Sequence, residues 1–81
     1  MLFLMQLFTH ASKTLEYDKD ELYQLYKELE NCDEAKLLEI CDVLLVEPPK
    51  DYLIEKTVAI CNDYRLASAF KIWEVKYDTA I

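Results

Sequence analysis

The sequence predicts an all-α domain of about five short helices, and three observations carry that reading. The 81 residues include no glycine and two prolines, so the residues that tight β-hairpins use for positive φ are missing; Asn31 and Asn62 are the good candidates that remain. Apolar residues recur at i, i+3, i+4 and i+7 in one segment after another, the period of a helix with a buried face. Cap and break signals fall between those segments. A composition that is 53% hydrophobic and 31% charged belongs to a folded chain, and the length suits one helical domain over 1–81.

The first helix is expected from Leu2 to about Lys13. Its apolar residues Leu4, Met5, Leu7, Phe8, Ala11 and Leu15 wrap most of the circumference, which implies burial on more than one side and makes the helix a candidate for docking on another subunit. The run MLFLMQLF is far shorter than the ~20 residues that span a bilayer. It also lacks the basic start and small-residue cleavage site of a secretory signal, so it reads as a packed helix rather than a targeting peptide.

Asp18 and Glu21 form the capping-box pattern that opens a second helix, with Leu22, Leu25, Tyr26 and Leu29 as its stripe. Asn31 or Cys32 ends that helix and Asp33 starts a third, which carries Leu37, Leu38, Ile40, Cys41, Leu44 and Leu45. Pro48 and Pro49 close it, because a proline biases the residue before it away from helical geometry. The fourth helix begins near Pro49 or Lys50, has Asp51 at its positive end, and buries Ile54, Thr57, Val58 and Cys61. Asn62 and Asp63 separate it from a fifth starting near Tyr64, with Leu66, Ala69, Phe70 and Trp73 on one face. The turns at Asn31-Cys32-Asp33 and Cys61-Asn62-Asp63 are 30 residues apart, a spacing that suggests two stacked helical hairpins in a right-handed, repeat-like superhelix; a simple bundle is the other packing.

Sixteen acids against nine bases give a net charge of −7. A chain with one arginine and so few lysines lacks the basic face that nucleic acid or an anionic membrane requires. An acidic surface suits a basic protein partner, or serves solubility alone. Cys32, Cys41 and Cys61 have no paired spacing and read as free, mostly buried thiols of a reducing compartment.

Signals for chemistry are weak. Without glycine there is no phosphate-cradling loop. His10 and Ser12 are two positions apart on a helix and point to different faces, so they do not make a nucleophile–base pair. The three cysteines and His10 lack zinc-ligand spacing, and Asp33, Glu34, Glu39 and Asp42 read as a solvated face. The expectation is a protein that is not an enzyme and takes no cofactor, metal or small-molecule ligand. Aromatic residues carry what information remains: Tyr23, Tyr26, Tyr52, Tyr64, Phe70, Trp73 and Tyr77 are divided between core and protein-binding anchors.

Residues 45–76 resemble the subunit Va family of mitochondrial cytochrome c oxidase. The residues that carry the likeness are Leu45-Val46-Glu47-Pro48-Pro49-Lys50, Cys61 ahead of a turn, and Leu66-Ala67-Ser68-Ala69-Phe70-Lys71-Ile72-Trp73-Glu74-Val75, with one gap near 61–65. The resemblance implies a right-handed superhelix of hairpins that binds no haem, copper or zinc. It further implies an accessory subunit of the respiratory chain, peripheral on the matrix side of the inner membrane, contacting other subunits of a membrane-bound complex without spanning the membrane. Leu4, Phe8, Tyr23, Tyr52 and Trp73 are the residues expected at the protein interface. The alternative is a free-standing acidic helical binding module of inhibitor or immunity type, cytoplasmic, which covers a basic site with Glu28, Glu30, Asp33 and Glu34.

Overall fold

A computed structural model describes residues 2–78, with side chains over 3–76. Among the described residues there are five helices and no strand: α1 (Leu2–Lys13), α2 (Lys19–Leu29), α3 (Glu34–Val43), α4 (Asp51–Cys61) and α5 (Arg65–Asp78). The domain is all-α, as the missing glycines and the helical periods imply.

Local chemistry sets the boundaries. At the start of α2, Asp18 Oδ1 accepts the Glu21 N–H at 2.8 Å and Glu21 Oε1 accepts the Asp18 N–H at 3.1 Å, a complete capping box. Asp33 caps α3 by accepting the Lys36 N–H at 2.8 Å. Asp63 accepts the Arg65 N–H at 2.8 Å and pairs with the Arg65 guanidinium at 2.7 Å, and these contacts hold its carboxyl below the usual carboxylate range.

The third helix ends earlier than its apolar pattern implies. The Leu45 N–H donates to Asp42 O at 3.1 Å and the Val46 N–H to Cys41 O at 2.9 Å, the paired bonds of a Schellman stop. Leu45 therefore adopts a left-handed φ of 58° and is 81% exposed, instead of extending the buried stripe. Glu16 and Asn31 also have positive φ, at 56° and 60°. A chain without glycine has no residue free of the left-handed penalty, so it puts ordinary side chains at three helix joints.

The helices close into one compact body. The first helix lies chiefly against α5 and also against α2, while α3 packs on α4 and α4 on α5. Leu4, Leu7, Phe8 and Ala11 have no exposed surface at all. The all-round apolar surface of α1 is thus satisfied inside its own chain. The Cα radius of gyration, 11.8 Å, matches the ~11.7 Å of a single globule this long, which an extended solenoid would exceed. Aromatic rings join the elements: Phe8 meets Phe70 at 5.0 Å and Trp73 at 5.9 Å, and Tyr26 stacks on Phe70 at 4.8 Å.

Candidate functional site

Between α2 and α3 the surface opens into a groove of about 240 Å³. Each helix contributes one face with the same spacing: Glu21, Gln24, Leu25 and Glu28 from α2, and Lys36, Glu39, Ile40 and Val43 from α3. Leu25 and Ile40 are buried and form the floor. Tyr17 and Leu44 line one end, where the chain enters α2 and leaves α3.

His10 bonds to the chain at that end. Its Nε2 lies 2.9 Å from Leu44 O, and because a carbonyl can only accept, the proton of this bond sits on Nε2. At the other end, beside the α2–α3 turn, Lys36 Nζ stands 3.8 Å from both Glu28 Oε1 and Glu39 Oε1. All three groups are well exposed, so these contacts are weak and open to competition.

The charge distribution centres on the same two helices. Asp18, Asp20, Glu21, Glu28, Glu30, Asp33, Glu34, Glu39, Asp42 and Glu47 meet only Lys19, Lys27 and Lys36 between positions 18 and 47. Outside that segment acids and bases balance, so the whole net charge of −7 belongs to α2, α3 and their flanks. The groove is therefore an apolar floor with Tyr17 at one end, set in the acidic part of the molecule.

No protein-family model, curated protein or solved structure matches this chain.

The residues expected at an interface divide between core and surface. Leu4 and Phe8 are wholly buried in α1, which corrects the expectation that they contact a partner: α5 and α2 already cover them. Trp73 is likewise in the core, where its indole N–H donates to Thr9 Oγ1 at 3.0 Å. Tyr23 is half-exposed on α2, 5.9 Å from Tyr26, with Lys27 Nζ 5.6 Å above its ring. Tyr52 is exposed at the start of α4. The side chain of Tyr77 lies outside the described residues.

The three thiols are free and buried. Cys32 and Cys61 lie on segments tied together by Asn31 N–H to Cys61 O and Asn62 Nδ2 to Cys32 O, each 2.9 Å. Burial pushes the Cys61 thiol up to about 12 and also raises Cys32 and Cys41. Such thiols hold their protons and are poor nucleophiles. Among the described residues, no group of three or more His, Cys, Asp or Glu side chains is placed to hold a metal ion, and no helix is long and apolar enough to cross a membrane.

The sequence pattern named Glu28 as a contact residue but not Tyr17, Gln24, Lys36 or Val43. A running count of charge along the chain would have located the acidic α2–α3 segment. The groove itself depends on how α2 and α3 are set beside each other, and no local pattern encodes that.

Proposed function

We propose that this protein is a non-catalytic binding module that captures a basic protein partner on the α2–α3 face. The observation that carries the reading is the concentration of the entire net charge on residues 18–47, the two helices with their flanking residues, while the rest of the chain is neutral. A charge excess needed only for solubility has no reason to be confined to one side. A confined excess orients an approaching cationic partner and speeds its encounter. The absence of catalysis is supported by the commitments already described: the single histidine bonds a backbone carbonyl, and the thiols are buried and protonated.

Titration with a short polylysine peptide at low and physiological salt, followed by backbone amide shifts, tests this reading. Expected are shifts grouped on 18–47, with affinity falling steeply as salt rises. Shifts spread evenly over α4 and α5, or no binding at low salt, overturn it.

A second reading, the matrix-side accessory subunit, draws on one observation. The α4–α5 pair that carries the family resemblance is packed as neighbours and leaves Tyr64 and Ile72 exposed. With α1 enclosed, docking in that reading moves to the outer side of α5. Co-purification with a membrane-bound oxidase in stoichiometric amount supports it; recovery of the chain only in uncomplexed form counts against it.

A further inference from the structure

We infer that the α2–α3 groove receives a basic amphipathic helix, which seats one aliphatic side chain on the Leu25–Ile40 floor and sets lysines or arginines against Glu21, Glu28 and Glu39. This rests on the proposed capture of a basic partner and specifies the partner's form.

Size, shape and charge each narrow the occupant. The groove, at about 240 Å³, is smaller than the roughly 300–1,000 Å³ of sites that enclose small-molecule ligands, so it suits a side chain from a larger body. Its walls are two helix faces, and among the described residues there is no strand edge to which an extended peptide could add. A helix laid between two helix faces fits by ridges and grooves, with anchors at i, i+3, i+4 and i+7.

Charge fixes the occupant's polar side. Leu25 and Ile40 require an apolar anchor, while the three glutamates beside them require cations. Val43 lines the groove yet is 67% exposed, leaving apolar surface toward the Tyr17 end for the partner to cover. At the other end Lys36 already stands between Glu28 and Glu39. An incoming cation there displaces Lys36, whereas the Tyr17 end offers Glu21, whose Oε1 accepts the Asp18 N–H and which Lys36 does not contact. The partner's basic residues therefore concentrate toward Tyr17 and Glu21.

Two synthetic helical peptides test the inference, each carrying lysines along one face. One has a leucine at the centre of the other face and its twin has alanine there. Titrations use the intact chain at low salt, with methyl shifts of Leu25, Ile40, Val43 and Leu44 and a dissociation constant for each peptide. Burying the leucine predicts roughly tenfold tighter binding than the alanine twin. Val43→Lys, an exposed substitution checked for an unchanged melting temperature, is expected to remove that tenfold advantage. Equal binding of the two peptides, unchanged by Val43→Lys and without methyl shifts, overturns the groove inference and leaves electrostatic capture standing. Failure of both peptides to bind overturns both.

Discussion

Replacing Leu45 with glycine is expected to stabilise the protein, although it deletes a large apolar side chain. Leu45 terminates α3 with φ 58°, a conformation that costs a residue with a Cβ about 1–2 kcal/mol. Its side chain is 81% exposed, so removing it forfeits little burial. The stop itself is made by backbone groups, Leu45 N–H to Asp42 O and Val46 N–H to Cys41 O, and glycine keeps both. Against the relief stands the extra freedom glycine gives the unfolded chain, about 0.4–1 kcal/mol. The balance is a gain of about 0.5–1 kcal/mol, or roughly 2–8 °C in Tm for a domain of this size. Urea unfolding followed through the fluorescence of Trp73, the single tryptophan, reads the change directly. Leu45→Ala is the control, because it removes the exposed side chain but keeps the Cβ and so brings no relief. A midpoint that falls for Leu45→Gly, or rises equally for both variants, would refute the argument.

Other outcomes follow from the same geometry. Asp18→Ala removes the side-chain acceptor of the Glu21 N–H, one half of the capping box, and is expected to cost about 1 kcal/mol in urea unfolding. Trp73→Ala empties a core position between α1 and α5; at about 3–5 kcal/mol it should leave little folded protein by circular dichroism, whereas Trp73→Phe loses chiefly the Thr9 hydrogen bond, about 1 kcal/mol. Alkaline pH should weaken the fold: a thiol in the unfolded chain ionises near pH ~8.5 while buried Cys61 keeps its proton to about 12. The unfolded state thus releases protons first, and stability that is complete below pH ~8.5 declines by up to about 1.4 kcal/mol per pH unit above it; a Cys61→Ala variant should lose less over pH 8.5–10 in thermal melts. Lys36→Gln frees Glu28 and Glu39 from their shared cation and should tighten binding of a lysine-rich peptide several-fold by titration calorimetry, about 1 kcal/mol or less.

What could be read from the sequence was what neighbouring residues decide. Asp18 and Glu21 announce α2, Asp33 opens α3, and Leu22, Leu25 and Leu29 face inward as their spacing demands. The end of α3 was misplaced because the pattern through Leu44 and Leu45 continues the helical period, whereas the backbone turns left-handed there. The largest difference concerns α1. Its encircling apolar residues call for cover, but nothing between Leu4 and Leu15 says whether that cover comes from another molecule or from α5. Charge was legible in total and was not resolved by segment, so the acidic face around Glu21, Glu28 and Glu39 took shape only once α2 and α3 stood side by side.

The seating of α1 against α5 also has a consequence for biosynthesis. The ribosome delivers Leu4, Leu7 and Phe8 about sixty residues before Arg65 begins the helix that shields them. Until then the nascent chain displays a greasy segment with no permanent shelter, the kind of surface that chaperones hold and proteases inspect. A product stalled or clipped ahead of α5 keeps that segment bare. Shelter for the first helix thus waits on the synthesis of α5.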